Sequence, residues 1–336
     1  MHIRALVVLV SLVALAGCTG ELVMEGGEES ADVPVSIVDV GAPQQSVTAD
    51  ADGSSGCNRL QPLTGGLWSV TVDGKKRSFW VQIPLKYRRF RPRPTPVVLS
   101  YHGFENFPLL QKALSKLPKK AEEEGFIAVF PRGTGDPLSW NGGGCCGDAE
   151  EQNVDDVAFT AAMLDKLESK LCVDKRRIFA TGYSNGGYMT HRLACELSDR
   201  IAAFGSVAGQ LAFLGCDPQR PVPVMHFHGT ADETVPFEGR PEDDVLSVDE
   251  TIDFWSSVGA CQTGPVEVFQ NGDATCEQYS DCAAGVEVEL CVIDEGGHTW
   301  PGGLGGPLVE GLAGKVSRDV NANDRLWDFF LRHPLP

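Results

Sequence analysis

The 336-residue sequence predicts an α/β chain, with a mostly parallel twisted sheet covered by helices on both faces and stapled by disulfides. Three observations carry this. Short apolar runs alternate with stretches of helical 3.6-residue period, the pattern of strand–helix–strand units. Residues 178–187, Ile-Phe-Ala-Thr-Gly-Tyr-Ser-Asn-Gly-Gly, read as a buried strand, a sharp turn and the start of a helix. The part rich enough in apolar residues to fold, from Cys57 to Pro336, suits one α/β domain in length.

Taken in order, residues 1–17 carry one cation, Arg4, and then apolar runs ending in small residues. They are too short to span a bilayer, which needs about 20 residues, and read as an export signal. The ending Leu15-Ala16-Gly17-Cys18 resembles the bacterial lipobox, which implies cleavage before Cys18 and its lipidation. The alternative is an ordinary signal peptide with a chance cysteine. From Thr19 to Gly56 there are eight acidic residues, no Lys or Arg and no aromatic. Such a segment cannot offset its chain entropy by burial, so residues 18–56 are expected to form an acidic tether. It carries eight of the 18 net negative charges, and that balance makes nucleic acid an unsuitable partner.

In the domain, residues 67–72 and 78–83 alternate around Asp73-Gly74, a hairpin signal. Lys75, Lys76, Arg77, Lys86, Arg88, Arg89, Arg91 and Arg93 suggest a solvated basic sheet edge. A strand at 97–99 leads into Tyr101-His102-Gly103-Phe104. A helix over 109–124, with a break at Pro118, precedes a strand at 126–130 and a glycine-rich loop. Residues 154–171 place Val157, Ala161, Leu164, Leu167 and Leu171 on one helical face. Strands are expected at 178–181 and 222–228, a capping box Ser247–Glu250 opens another helix, and 266–277 pairs with 286–293. A last helix covers 321–331.

Eleven cysteines in an exported chain point to disulfides, and setting Cys18 aside leaves ten, an even number. The expected pairs around the second hairpin are Cys261–Cys282 and Cys276–Cys291. Cys145 and Cys146 are adjacent, which suits two different partners better than one metal ion. No metal and no cofactor is expected.

The turn at Ser184 is flanked by Gly182, Gly186 and Gly187, where a Cβ would crowd a tight strand-to-helix turn. The alternative is an ordinary glycine-rich strand–helix turn. A serine nucleophile needs a base, and the base needs an orienting acid. In the α/β-hydrolase arrangement these follow in the order Ser, acid, His, each on a loop after a strand. Asp232 lies beyond the strand at 222–228, and His298 follows the strand at 286–293 among glycines. Glu233 and Glu295 are rival acids. The candidate oxyanion donors are the amides of Asn185 and Phe104. His102, His226 and His228 end apolar strands and read as structural.

Together, Tyr101-His102-Gly103, the Trp140–Cys146 loop with Val154–Val157, Gly182–Gly187, Leu193–Glu196, His228–Asp232 and His298-Thr299-Trp300-Pro301-Gly302 resemble a family of secreted esterases. These are the feruloyl and acetyl-xylan esterases of carbohydrate esterase family one, with polyhydroxybutyrate depolymerase relatives. The resemblance implies that Ser184, Asp232 and His298 are nucleophile, acid and base. It implies an ester substrate derived from polysaccharide or polyester, while the lipobox-like ending at Cys18 implies a membrane contact only through the lipid anchor. The protein would then work outside the cytoplasm of a bacterial cell, anchored or secreted. Tyr101, Trp140 and Trp300, with Phe104, are candidates to stack on a hydroxycinnamoyl ring or sugar. Cleavage of short-chain polyhydroxybutyrate and a catalytically dead binding lipoprotein are the alternatives. The dead protein predicts a missing triad member, and all three are present.

Overall fold

The computed structural model describes residues 52–59, 61, 65–89 and 92–336. The expected export signal, Cys18 and most of the expected acidic tether lie outside them. Residues 52–56, expected to belong to the tether, pack on the domain instead. Gly53 bridges Asp174, the Ser54 hydroxyl donates to Leu171 O at 2.7 Å, and Cys57 is bonded to Cys172. Backbone pairing and a crosslink hold this stretch, neither of which leaves an apolar signal in composition.

The chain opens with β1 (Gly66–Val72) and β2 (Lys75–Gln82), then α1 (Leu85–Arg89), β3 (Thr95–Tyr101), α2 (Pro108–Ser115), α3 (Leu117–Glu124) and β4 (Ile127–Pro131). Next are α4 (Asp148–Glu151), α5 (Asp156–Lys170), β5 (Val173–Tyr183), α6 (Asn185–Glu196), β6 (Ala203–Val207) and β7 (Val224–Gly229). The chain ends with α7 (Val248–Val258), β8 (Thr263–Asn271), β9 (Ala274–Ser280), β10 (Val288–Ile293), α8 (Pro307–Ala313) and α9 (Ala322–Arg332).

These strands form one sheet in the order β1-β2-β4-β3-β5-β6-β7-β10-β9-β8. The centre, β4-β3-β5-β6-β7-β10, is parallel throughout, and an antiparallel pair flanks each side. Side chains alternate across the pleat. Val97, Leu99, Ile127, Val129, Ile178 and Ala180 meet α5, α6 and α7 on one face, where Phe159, Leu164, Leu193 and Trp255 pack. Val98, Ala128, Phe130 and Phe179 meet α2, α3 and α9 on the other, with Leu110, Ala121, Trp327 and Phe330. The predicted α/β class therefore holds.

Several element boundaries differ from the sequence reading. The 109–124 helix breaks at Lys116, which adopts φ 54, rather than at Pro118. Pro118 sits in the first turn of α3, where a missing N–H costs nothing. Strand β5 begins at Val173, because its polar start, Asp174–Arg177, lies beside Gly53 and the beginning of β3. Residues 266–277 are not one strand. The chain turns at Gly272, where φ is 51, so β8, β9 and β10 form a meander. The Ser247–Glu250 capping box is present at the start of α7.

Ten cysteines form five bonds: 57–172, 145–146, 195–216, 261–282 and 276–291. Cys145 and Cys146 thus pair with each other, not with separate partners, since the other eight are matched across elements. Cys276, Glu289 and Cys291 come within ligand distance of one another, but the two sulfurs are the 276–291 bond.

Arg77 also departs from the expected solvated edge. It is buried, and its guanidinium meets the fully buried Asp156 at 2.6 Å. The other Asp156 oxygen accepts the Asn141 amide at 2.9 Å, which ties β2 and α5 to the glycine-rich loop. Removing one partner of a buried pair strands the other charge and costs about 3–5 kcal/mol. Arg77→Met should therefore lower the unfolding free energy by about that much in guanidinium titration. Lys119→Ala, which breaks the exposed Lys119–Glu123 pair, should change it by less than about 1 kcal/mol. Equal effects would contradict this account of Arg77.

Candidate active site

Strand β5 runs into Ser184, which adopts φ 57 and ψ −123 before α6 begins at Asn185. A non-glycine residue at this φ is strained and persists only where the surroundings impose it. Here the glycines allow the imposition. A Cβ on Gly182 would lie 2.0 Å from Gly186 O, and one on Gly186 would lie 2.3 Å from Tyr101 O. The turn can therefore fold back on β5 and press against the end of β3. The Ser184 amide donates to Val207 O at 2.9 Å, which fixes it to β6 as well.

Asp232 and His298 come from the turns after β7 and β10, which are parallel neighbours. Their ends approach closely enough that a Cβ on Gly229 would lie 2.2 Å from Gly296 O. Asp232 Oδ1 accepts the amides of Thr234 and Val235 at 2.9 and 2.8 Å. Its Oδ2 accepts His298 Nδ1–H at 2.7 Å, so His298 Nε2 is left to face the cavity. Burial opposes ionisation of Asp232, but His298, His228 and the Val235 amide outweigh it and hold the carboxyl below its usual range. The Tyr183 hydroxyl donates to His298 O at 2.6 Å, and its ring lies beside the imidazole. Neither Glu233 nor Glu295 makes the contact that Asp232 makes.

Ser184 and His298 border one cavity of about 310 Å³, with Gly103, Phe104, Tyr188, Val235 and the Cys145–Cys146 pair. A Cβ on Gly103 would come 3.2 Å from Ser184 Cβ, so the Gly103–Phe104 peptide runs beside the serine. His102 orients that peptide. Its Nδ1–H donates to Gly103 O at 2.8 Å while its Nε2 accepts the Gly133 amide at 3.0 Å. In a trans peptide the N–H opposes the carbonyl, so the Phe104 N–H points away from His102. Among the described residues, neither the Phe104 nor the Asn185 amide has a protein acceptor. Both are free to donate to a bound oxyanion.

The expected aromatic stacking residues are elsewhere. Tyr101 is fully buried and its hydroxyl bonds the Thr160 hydroxyl at 2.8 Å. Trp140 is also fully buried, donates its indole N–H to His102 O at 2.9 Å and packs on Tyr101. Trp300 lies behind His298, beside Leu114 and Leu304 at a separate void of about 20 Å³. Proximity in sequence to glycine loops misled here: the Tyr101 hydroxyl and the Trp140 indole N–H have partners inside the core, whereas the Trp300 indole N–H is buried without one. Only Phe104 lines the cavity. Sequence reading missed Tyr183, Tyr188, Asn106, Val235 and Arg240, which line it too. Tyr183 and Tyr188 flank Ser184 within the turn and first helical turn, which is the signal that would have found them.

Behind Asp232 runs a buried file of rings. The Trp255 indole N–H donates to His191 Nδ1 at 3.0 Å. His191 Nε2 meets His226 Nδ1 at 3.4 Å, and His226 Nε2 meets His228 Nδ1 at 3.1 Å. His228 Nε2 reaches Val235 O at 2.8 Å and lies 3.6 Å from Asp232 Oδ2. Since an indole N–H only donates and a carbonyl only accepts, every imidazole in the file is a neutral Nε2–H tautomer.

A mostly parallel sheet with a strained serine elbow after a central strand, and an acid and a histidine after two later strands, is the arrangement of the α/β-hydrolase fold. The solved acetyl xylan esterase from Aspergillus awamori shares this fold, with TM-score 0.54 and 16% identity over 79% of this chain and 99% of that one. No family model matches the sequence. Feruloyl esterase B of Piromyces equi is 33% identical over 220 residues, covering 61% of this chain and 40% of that protein. A bifunctional acetylxylan esterase/xylanase of Neocallimastix patriciarum is 26% identical over 205 residues, 61% of this chain and 29% of that protein. The chain thus spans less than half the length of these two relatives. By sequence it is similar, over part of its length, to feruloyl and acetylxylan esterases.

Burial pushes His102 down to about 4 and His191 to about 3, and lowers His226 and His228 in the same direction. A histidine whose folded value is depressed leaves stability intact above the unfolded value of about 6.5. As pH falls below that, the unfolded chain takes up protons the folded one refuses, and stability is lost. Unfolding at pH 5 should take up protons onto these histidines, and Tm should decline from pH 7 to pH 5. A level Tm across that interval, measured by calorimetry, would contradict the buried neutral file.

Proposed function

We propose that this protein is a serine carboxylic-ester hydrolase that releases feruloyl or acetyl groups from plant cell-wall polysaccharide. The observation that carries the reading is the Asp232–His298 contact of 2.7 Å, set on the same cavity as an elbow serine flanked by two free amides. The names of the feruloyl and acetylxylan esterase relatives favour the substrate class.

In this mechanism the Ser184 hydroxyl attacks the ester carbonyl as His298 Nε2 takes its proton. Asp232 holds the other ring nitrogen protonated and stabilises the imidazolium. The oxyanion of the tetrahedral intermediate accepts hydrogen bonds from Asn185 and Phe104 N–H. Each such preorganised donor is worth on the order of 10²–10³ in kcat. Collapse expels the alcohol, which leaves with the proton from His298. Water, activated by the same imidazole, then attacks the acyl-enzyme and frees the acid.

Five disulfides favour work in an oxidising compartment outside the cytoplasm. Among the described residues no helix is long and apolar enough to cross a membrane. We place the anchor, where present, on a lipidated Cys18 ahead of an acidic tether. Labelled palmitate should enter the full chain expressed in bacteria and be lost in Cys18→Ser, and unchanged labelling would remove the anchor from the proposal.

For the triad, Ser184→Ala and His298→Ala should each lower kcat on methyl ferulate and p-nitrophenyl acetate by about 10⁴–10⁶, and the double variant by little more. Asp232→Asn should retain more activity than either, since the ring keeps its place but loses its preferred tautomer. A fluorophosphonate should label Ser184 and fail to do so efficiently in His298→Ala. Full turnover by Ser184→Ala would end the reading.

A further inference from the structure

With Trp140, Trp300 and Tyr101 out of reach, the cavity wall near Ser184 consists of other groups. Cys145 and Cys146, both half-buried, border it together with Phe104, Tyr188 and Val235. Cys145 packs on a small apolar cluster of Tyr188, Ala212, Val235 and Val245 that is separate from both faces of the sheet. Three of its members, Cys145, Tyr188 and Val235, border the cavity.

The wall is held from behind. The Asn185 carboxamide accepts the Trp140 amide at 2.8 Å and donates to Trp140 O at 3.0 Å and Cys145 O at 3.3 Å. The residue after the serine thus supplies a backbone amide on one side and grips the cysteine loop on the other. Gly144 N donates to Ala212 O at 2.7 Å. A Cβ on Gly142 would lie 2.7 Å from Tyr188 Cβ, and one on Gly144 would lie 1.8 Å from Asp243 O. The loop therefore sits against α6 and the β7–α7 connection with no slack.

A bond between adjacent cysteines closes a small ring with the backbone. It presents two sulfurs with no free rotor, an apolar and polarizable face of the kind that contacts aromatic rings well and loses no side-chain entropy on binding. We propose that the Cys145–Cys146 disulfide is the specificity-determining wall of the cavity, on which the planar arene of a hydroxycinnamoyl ester rests while its carbonyl lies at Ser184. The inference rests on the esterase reading above and goes beyond it by naming the surface that selects an aryl-bearing acyl group over a small aliphatic one.

The test is the ratio of kcat/KM for methyl ferulate to that for p-nitrophenyl acetate, in the native full chain and in Cys145→Ala/Cys146→Ala. The acyl group of acetate is too short to use the wall. The ratio should fall about tenfold in the double variant, mainly through KM for ferulate. A ratio that stays level, or native enzyme that favours acetate and refuses ferulate, overturns the wall while leaving the esterase intact. Turnover of neither ester by native enzyme, with no fluorophosphonate labelling of Ser184, overturns the esterase reading itself. Should the double variant fail to fold, native enzyme is reduced with a phosphine under folding conditions and capped with iodoacetamide. Peptide mapping then selects preparations opened only at 145–146, and the same ratio decides.

Discussion

The turn at Ser184 is the constraint on which the rest of the site depends. A serine at φ 57 is held there because β5 lies between β3 and β6 and the helix must restart against both. The contacts that enforce the turn are backbone to backbone: Gly182 against Gly186, Gly186 against Tyr101, and the serine amide on Val207. No side-chain substitution elsewhere can relax them without moving a central strand. In return, the hydroxyl stands at the carboxyl end of the parallel sheet, and the same end collects the loops after β3, β7 and β10.

Around that turn the polar groups are arranged in depth. Asp232 touches His298, and behind it His228, His226 and His191 run back to Trp255 in a single donor direction. A file fixed at both ends, by an indole that only donates and a carbonyl that only accepts, cannot reverse. It presents an N–H, not a lone pair, toward the carboxylate. On the other side of the serine, Arg77 neutralises Asp156, Asp156 holds the Asn141 amide, and Asn185 grips Trp140 and Cys145. Buried charge and carboxamide together hold in place a loop whose glycines have no side chains to pack.

Ile178–Gly187 declared its strand, turn and helix because local chemistry demanded them: β-branched residues, then glycines, then a helical period. The hairpin at Asp73-Gly74, the capping box at Ser247 and the alternation of strands with helices were legible for the same reason. The glycine-rich loop was not. Trp140 looked like a residue at the mouth, and Cys145 and Cys146 looked like two crosslinks to distant partners. Arg77 looked like part of a solvated edge, and the Asp156 that buries it lies far along the chain.

By itself, then, the sequence determined the α/β class, the order of serine, acid and histidine along the chain, and the glycines that permit the elbow. Each follows from backbone conformation and periodicity over a few residues. Only the tertiary structure decided which side chains face the cavity, that the adjacent cysteines pair with each other, and that three histidines queue behind Asp232. Those outcomes depend on which buried polar atom finds which partner across the sheet, and on what volume is left once the two cores are filled. Neither quantity is a property of any short stretch of chain, so both had to be read from the packed molecule.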